Sequence, residues 1–193
     1  MNPAEVVAVL ERHGALLQGH FVLSSGRHSD VFVQKFRALE HPRLAQAFGD
    51  ALARAFSGAR FDVVASPAVG AIVLGFTTAL AADARLVFAE RVGGSLELRR
   101  GFRITPHERV LVVEDVVTTG GSARAVVNLV RAAGGVPVGV GALVDRMDPA
   151  RPPSLGVPVR ALARVEARSW EPSECPACRR GEALEDPGSS RLR

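Results

Sequence analysis

Amphipathic periodicity and turn residues outline the first third of the chain. Asn2, Pro3 and Glu5 stand in the order of an N-cap, a proline at the first helical position and an N3 carboxylate, and Gly14 ends the pattern. Two β-like stretches then flank a Ser-Ser-Gly turn, and apolar residues recur at helical spacing after them. The pattern predicts a helix over residues 3–13, strands at 20–23 and 31–33, and a helix over residues 41–56.

From residue 61 onward, buried strands alternate with helices. The run 110–113 is apolar on both faces, as in the central strands of a parallel sheet that helices cover on both sides. The predicted elements are strands at 62–65, 85–89, 109–113 and 136–144, and helices over 70–82 and 121–133. We therefore predict an α/β fold with a doubly wound, mostly parallel sheet. It forms one domain over residues 1–181, and the polar tail 182–193 is expected to fray.

Composition narrows the classes of function. The 193 residues are 47% hydrophobic and 23% charged, which is typical of one globular domain. No apolar run approaches the roughly 18 residues of a membrane helix, and there is no signal-peptide pattern, so we expect a cytoplasmic protein without a membrane partner. The 24 basic against 20 acidic residues fit an anionic ligand but are too small an excess to indicate nucleic-acid binding. Lys35 is the only lysine and lies in no glycine-rich loop, which excludes a P-loop NTPase.

Cysteine and histidine usage gives no metal site by spacing alone. Cys175 and Cys178, in the order Cys-Pro-Ala-Cys, are too few for a disulfide framework and supply half of the ligands of a closed zinc site. We favour two unpaired thiols in a C-terminal turn, while half of a zinc knuckle shared between two subunits, or a redox pair, stays open. Surface or turn positions are expected for His20, His28, His41 and His107.

The stretch 112–123, Val-Val-Glu-Asp-Val-Val-Thr-Thr-Gly-Gly-Ser-Ala, carries the most chemical information. It places Glu114 and Asp115 at the carboxyl end of a predicted central strand, where open α/β sheets bind their ligands. The following loop offers hydroxyls, backbone N–H groups and a helix N-terminus, which together suit a terminal phosphate. Carboxylates accept hydrogen bonds from a vicinal diol, so the stretch indicates a ribose 5-phosphate site. The alternative is a capped strand-to-helix turn with solvated acids.

This stretch resembles, over its whole length, the phosphoribosyl-pyrophosphate (PRPP) signature of type I phosphoribosyltransferases. The resemblance implies that Glu114 and Asp115 bind the ribose hydroxyls, with Asp115 catalytic because its charge stabilises an oxocarbenium-like transition state. It implies Mg²⁺ as a cofactor carried by the pyrophosphate, with no metal site on the protein itself, and a small N-terminal hood subdomain to which residues 1–40 contribute the base-binding part. The implied PRPP-binding residues are Glu114, Asp115, Val116, Val117, Thr118, Thr119, Gly120, Gly121 and Ser122.

Three further stretches resemble the branch of this family that uses orotate. Residues 21–29, Phe-Val-Leu-Ser-Ser-Gly-Arg-His-Ser, are similar to its N-terminal segment, and an aromatic residue follows at the position that lines the base pocket. Residues 66–71 are similar to its pyrophosphate loop, and residues 143–146, Leu-Val-Asp-Arg, to the strand end that carries its base-binding arginine. The resemblance implies PRPP and orotate as substrates, with orotate contacts from Phe32, Thr118 and Arg146.

The chemistry of orotate supports Arg146 separately. A buried ring carboxylate must be paired, and a planar guanidinium offers it two parallel hydrogen bonds that lysine cannot. The alternative for Arg146 is a surface salt bridge with Asp145 or Asp148.

The cations that contact pyrophosphate in the resembled family are partly replaced here, because Ser24 and Val69 stand where lysines are common. Segment 90–101 has no lysine or histidine but combines glycines with three arginines, as a loop that closes over a polyanion requires. The resemblance implies that this loop completes the neighbouring subunit's site in a homodimer. Among the available cations we place Arg91 first as the catalytic, PRPP-binding contact, followed by Arg99 and Arg100. A surface β-hairpin is the alternative for this segment, because residues 96–98 alternate like a strand.

Two other functions stay open at this point. A transferase for a purine base would share the PRPP site but has no need of an arginine aimed at a carboxylate. A regulatory protein that senses PRPP would need an added nucleic-acid-binding element, whereas the N-terminal helix here is followed directly by the orotate-like segment.

Overall fold

Helices and strands alternate along most of the chain, as the computed structural model describes it for residues 1–23, 25–150 and 152–187. In chain order the elements are α1 (Pro3–Arg12), β1 (Leu16–Val22), β2 (His28–Val33), α2 (Phe36–Leu39), α3 (Pro42–Ala55), β3 (Val63–Pro67), α4 (Ile72–Ala81), β4 (Arg85–Val92), β5 (Ser95–Leu98), β6 (Arg109–Val117), α5 (Gly121–Ala132), β7 (Val136–Asp145), β8 (Val159–Arg164), β9 (Ser169–Trp170) and α6 (Pro176–Arg179). None of the helices in these residues is long and apolar enough to cross a membrane.

The central sheet has six strands in the order β5-β4-β3-β6-β7-β8. Every neighbouring pair is parallel except β4 and β5, which form an antiparallel hairpin at one edge. Buried side chains of α1, α3 and α4 pack on one face of this sheet, and those of α5 pack on the other. The predicted doubly wound, mostly parallel α/β fold is confirmed. Because the strands run parallel, their carboxyl ends share one edge, and that edge carries the chemistry described below.

A separate three-stranded antiparallel sheet, in the order β1-β2-β9, forms the hood. Residues 1–40 contribute β1 and β2 to it, and its third strand, β9, comes from near the C-terminus. The N-terminal helix is tied down by the expected capping box, in which Glu5 N donates to Asn2 Oδ1 and Asn2 N donates to Glu5 Oε2, both at 2.9 Å. Helix α1 then packs into the main core through Val6 and Leu10, which joins the hood to the central sheet.

The predicted elements differ from the observed ones mainly at their ends. Strand β6 continues from the apolar run through Glu114 and Asp115 to Val117, because the two acids are themselves buried in the sheet. Strand β8 and the short elements α2, β9 and α6 were not predicted, since each is either an edge strand or shorter than one periodic repeat. Helices α3 and α4 pack so closely that a Cβ atom on Gly49 would lie 2.4 Å from the carbonyl carbon of Thr77.

The prediction of surface or turn positions is wrong for His20 and His28, whereas fraying of the C-terminal tail stays a prediction. Within that tail, Glu185 N donates to the His20 carbonyl (2.8 Å) and Glu185 O accepts from Val22 N (2.9 Å). The rest of the predicted tail, residues 188–193, lies outside the described residues, as does Ser24. His20 and His28 are buried, at 5% and 6% exposure, whereas His41 and His107 are exposed as predicted.

Candidate active site

The two acids of β6 are buried at its carboxyl end and have different neighbours. Glu114 borders the loop that follows the strand, whereas Asp115 lies beside Lys35 and Gly70. Glu114 is 6% and Asp115 is 8% exposed, so the alternative of solvated acids is wrong. Burial raises the pKa of Glu114 well above its usual value, and the neighbouring charge of Asp115 raises it further. Two buried carboxyl groups therefore lie next to each other at this edge of the sheet. A hydrogen bond from a ligand hydroxyl, or the positive charge of a cation, would stabilise them.

The loop after β6 encloses a small polar cavity of about 60 Å³. Gly120 caps α5 with a positive φ of 71°, and a Cβ atom there would lie 2.8 Å from Leu155 Cδ2, so glycine is required on both grounds. No side chain caps α5, which leaves its first backbone N–H groups for a ligand. Most of the predicted PRPP-binding residues line this cavity: Glu114, Val116, Val117, Thr118, Thr119, Gly120, Gly121 and Ser122.

The contributions of these lining residues differ. Val116 and Val117 direct their side chains into the two hydrophobic cores, so they offer a ligand their backbone only. Thr118 and Thr119 are exposed, with hydroxyls available at the mouth of the cavity. A helix N-terminus, hydroxyls and a small polar cavity together form an anion site of the kind that binds a terminal phosphate.

Asp115 faces a second group of residues, away from this cavity. Lys35 Nζ, from the turn after β2, lies 3.0 Å from Asp115 Oδ2 in a largely buried ion pair. A Cβ atom on Gly70, in the turn after β3, would lie 2.1 Å from the same oxygen, so only glycine leaves room for the carboxylate. The predicted pyrophosphate loop, residues 66–71, thus closes over Asp115. Sequence reasoning missed the role of Lys35; its being the only lysine of the chain was the available signal.

Arg146 follows β7 and connects the central sheet to the hood. Its backbone N–H donates to the Val117 carbonyl at 2.8 Å, which places Arg146 beside Thr118 in the loop after β6. Its Nη2 donates to Ser29 Oγ of β2 at 3.0 Å. Burial lowers the pKa of the guanidinium, an effect that the charge of Asp30 partly offsets.

The alternative of a surface salt bridge for Arg146 is wrong. The Asp145 carboxylate lies 3.8 Å from Arg164 Nη1, and Asp148 Oδ1 accepts from the Ala150 backbone at 2.9 Å. Arg146 Nε is buried and has no hydrogen-bond partner among the described residues. A buried guanidinium donor without a partner is costly, so an acceptor from outside the described residues would stabilise this side chain.

Comparisons with known proteins bear on the whole chain. The phosphoribosyl transferase domain family matches residues 37–161. The orotate phosphoribosyltransferases of Caldanaerobacter subterraneus subsp. tengcongensis and Pelotomaculum thermopropionicum are 43% and 45% identical over 192 residues, which cover 100% of each chain. That of Thermus thermophilus is 45% identical over 183 residues, 94% of this chain and 99% of its own. The chain belongs to the orotate phosphoribosyltransferase family.

Solved structures agree with that family. The orotate phosphoribosyltransferase of Aeropyrum pernix superposes with a TM-score of 0.70 at 27% identity, covering 83% of this chain and 93% of its own. An adenine phosphoribosyltransferase from Thermoanaerobacter pseudethanolicus superposes with a TM-score of 0.61 at 20% identity over 70% of this chain and 88% of its own, which shows a shared fold alone. The fold is thus common to enzymes of different bases, and the groups around the base must distinguish an orotate phosphoribosyltransferase.

Phe32, the aromatic residue assigned to the base pocket by resemblance to orotate phosphoribosyltransferases, lies on β2 three residues from Ser29. Phe21 of β1 is the direct cross-strand partner of Ser29, so the side chains of these two residues share one face of the hood sheet. The ring of Phe32 packs against Phe21, with centroids 5.9 Å apart. The contact of Phe32 with a base stays a prediction.

The arginine-bearing segment 90–101 is largely the β-hairpin that the sequence left as an alternative. Arg91 lies on β4 opposite Leu96 of β5, and its Nη1 donates to the Gly94 carbonyl at 3.0 Å. Arg100 forms a bidentate ion pair with Glu90, at 2.8 and 3.0 Å. The last residue of β3, Pro67, pairs with Ala89 of β4. The hairpin of β4 and β5 continues beyond that pair and therefore extends past the carboxyl edge of the sheet. Arg91 is exposed there, and its contact with pyrophosphate stays a prediction.

Proposed function

We propose that the protein transfers the 5-phosphoribosyl group of PRPP to orotate, releasing pyrophosphate and forming orotidine 5'-monophosphate, as a step of pyrimidine nucleotide biosynthesis in the cytoplasm. The observation that carries the choice of base is Arg146, which lies beside the loop after β6 and whose buried Nε has no hydrogen-bond partner in the described part of the chain. Guanidinium groups pair with carboxylates through two hydrogen bonds, and orotate carries a carboxylate that purine bases lack. Full-length relatives named orotate phosphoribosyltransferase support the same choice.

The 5-phosphate of PRPP would occupy the cavity at the N-terminus of α5, with the hydroxyls of Thr118 and Thr119 at its mouth. Glu114 and Asp115 would then accept hydrogen bonds from the ribose hydroxyls at the end of β6. As the bond between the anomeric carbon and pyrophosphate breaks, positive charge develops on the ribose ring, and the Asp115 carboxylate stabilises it. A nitrogen of orotate, held by Arg146, forms the new bond to the same carbon.

Lys35 would exchange partners during this cycle. Its ammonium group neutralises Asp115 in the free protein, at 3.0 Å, while it lies next to the loop at residues 66–71. A diphosphate bound at that loop would draw the ammonium away from the carboxylate, because it carries more negative charge. Asp115 would then be left to face the ribose.

Mg²⁺ fits the carboxyl edge as a cofactor carried by the substrate. This ion is usually held by substrate phosphates together with one or two carboxylates, and Glu114 and Asp115 are two carboxylates at this edge. When bound, it would neutralise charge that accumulates on the departing pyrophosphate.

The test of this function is a comparison of bases in one assay. Adding the protein to PRPP, Mg²⁺ and orotate should lower the absorbance of orotate and release an equal amount of pyrophosphate. Adenine, hypoxanthine and xanthine should give no measurable turnover under the same conditions. Turnover of a purine at a similar rate would reject orotate as the specific base, and binding of PRPP without any turnover would favour a sensor.

We further propose a homodimer in which Arg91 contacts the pyrophosphate in the neighbouring subunit's site. An exposed apolar stripe lies on α4 and in the turn before it, next to the pyrophosphate loop, and such a stripe suits a self-complementary interface. Its residues, spaced three or four apart, are Val69 (72% exposed), Val73 (37%), Phe76 (58%) and Leu80 (61%).

Mixing two inactive variants should restore activity if the site is shared. In an equal mixture of Asp115→Asn and Arg91→Ala, random exchange of subunits leaves about a quarter of all sites with both residues intact, so about a quarter of wild-type activity should return. The measurement is the orotate absorbance assay, with subunit exchange verified by native mass spectrometry.

The matched control pairs Asp115→Asn with Arg146→Ala, assayed at low orotate. These two residues lie at the ends of neighbouring strands of one chain, so every site in a mixed dimer lacks one of them and no activity should return. Absence of recovery in the Arg91 mixture, with exchange demonstrated, would contradict the shared site.

A further inference from the structure

Four metal-binding side chains meet in the hood, outside the candidate active site. His20 Nε2, His28 Nδ1, Cys175 Sγ and Cys178 Sγ all lie within 4.8 Å of one another. His20, His28 and Cys175 are buried, and Cys178 is exposed. Both cysteines are free thiols, so no disulfide accounts for the cluster.

Four of the six distances between these atoms are close to the edges of one coordination tetrahedron, and the other two are at most 4.8 Å. Tetrahedral zinc, with Zn–N of about 2.0–2.1 Å and Zn–S of about 2.3 Å, requires edges of roughly 3.3 Å between two nitrogens and roughly 3.6 Å between nitrogen and sulfur. The two histidine nitrogens are 3.0 Å apart. His20 Nε2 lies 3.4 Å from Cys175 Sγ and 3.6 Å from Cys178 Sγ, and His28 Nδ1 lies 3.3 Å from Cys178 Sγ.

Local backbone features bring the two histidines and the two cysteines together in space. The pairing of β1 with β2 is irregular between Gln18 and Phe21, and such a bulge, which contains His20, redirects the side chain of the extra residue. His28 begins β2 and pairs with Trp170 of β9, which brings the C-terminal segment alongside. The Cys-Pro-Ala-Cys spacing across the start of α6 is the two-residue separation that zinc sites use.

A hydrogen bond outside the cluster orients one ligand. His20 Nδ1 lies 3.1 Å from the Glu182 carbonyl, an acceptor only, so this nitrogen carries the proton and donates it. Nε2 of the same ring is then left with its lone pair directed at His28 and the two sulfurs. Histidines that bind metals are commonly held in this way by a backbone carbonyl.

We propose that His20, His28, Cys175 and Cys178 bind one structural zinc ion within a single chain. Two imidazoles and two thiolates in a tetrahedron suit zinc, whereas Mg²⁺ prefers oxygen ligands. Binding would release the two thiol protons to solvent. Four protein ligands complete the coordination shell and leave no position for a substrate, which makes the site structural.

The ion would fasten the C-terminal segment to the hood and thereby support the base site. A three-stranded sheet whose third strand has two residues is marginal without further support, and the cluster joins β1, β2 and α6 directly. The residue after His28 is Ser29, whose Oγ accepts from Arg146 Nη2. This argument concerns the folding of the chain and does not depend on which base the enzyme uses.

The test begins with the metal content of the full-length protein, expressed in zinc-supplemented medium and purified without a chelator. Mass spectrometry of the metals should give about one zinc per chain, and exchange with Co²⁺ should give the visible absorption bands of a tetrahedral thiolate complex. Cys178→Ser, at the exposed ligand, should keep less than about a tenth of the zinc after dialysis against a chelator, because one of four ligands is lost. Chelation of the wild type should lower its Tm by about 5 °C or more.

His107→Asn is the matched control, because His107 is exposed and lies outside the cluster. It should retain the zinc content and Tm of the wild type. Wild-type protein that contains no zinc and takes up neither Zn²⁺ nor Co²⁺ would overturn the proposal, whether or not any variant folds. A bound iron ion, or a disulfide between Cys175 and Cys178 in the purified protein, would equally overturn it.

Discussion

Replacing Asp115 with Asn should lower kcat by about 100-fold or more and change the Kd for PRPP by less than about tenfold. The substitution keeps the size of a buried side chain and removes only its charge. That charge now faces Lys35 Nζ at 3.0 Å, and one of its oxygens accepts from the Val116 N–H at 2.7 Å. Stabilisation of a cationic ribose is needed in the transition state more than in the bound substrate, so turnover should suffer more than binding.

Initial rates with saturating orotate and PRPP measure kcat, and calorimetry measures the PRPP affinity. Glu11→Gln, an exposed acid on α1, is the control and should match the wild type. The pKa of Glu114, followed by carboxyl NMR, should fall in Asp115→Asn, because a negative neighbour that raises it has been removed. Near-normal turnover would reject the role of Asp115, and parallel losses in turnover and affinity would assign it to binding alone.

The segment from β6 to α5 was predictable because its chemistry is local. One stretch of about ten residues contains the acids at the end of β6, a glycine with a positive φ and the uncapped start of α5. The residues that form the polar cavity are therefore close together in the sequence. Even there, the sequence did not separate Glu114 from Asp115. The different neighbours of the two acids depend on tertiary structure, because Asp115 meets Lys35 and Gly70 from distant parts of the chain while Glu114 borders the loop after β6.

Contacts between distant parts of the chain were harder to predict. Lys35 and Asp115 are adjacent in space but separated by 80 positions, and no periodicity links them. The cluster of His20, His28, Cys175 and Cys178 was missed for the same reason, because two ligand pairs that look incomplete in sequence complete each other only when the C-terminal segment packs on the hood. Spacing rules find ligands within one loop and miss those brought together by tertiary structure.

The hairpin of β4 and β5 shows a different limit of prediction from sequence. The glycines and arginines of segment 90–101 are compatible both with a loop that closes over the substrate and with a surface hairpin, because a Gly-Gly turn occurs in both. The pairing of Arg91 with Leu96 shows that this segment forms the hairpin in the structure. Only a measurement with substrate, such as the mixing of variants described above, addresses what Arg91 contacts during the reaction.

Replacing Arg146 with Ala should raise the KM for orotate by about tenfold or more while changing the Kd for PRPP by less than about twofold. The guanidinium is held by Ser29 Oγ and has a buried Nε free for an acceptor, so its removal leaves the carboxylate of orotate without a partner in a partly buried site. Arg146→Lys should be intermediate, since a lysine keeps the charge but cannot make two parallel hydrogen bonds. Arg164→Ala, at the end of β8 and half-exposed beside Asp145, is the matched control.

Uracil separates loss of the carboxylate contact from general damage to the pocket, because it has the orotate ring without the carboxylate. Removing the guanidinium should therefore lower kcat/KM for orotate much more than for uracil, so that Arg146→Ala discriminates between the two bases about tenfold less than the wild type. A defect in packing would lower both values together and leave their ratio unchanged. An unchanged ratio, or a loss of PRPP affinity with orotate affinity retained, would mean that Arg146 does not bind the carboxylate of orotate.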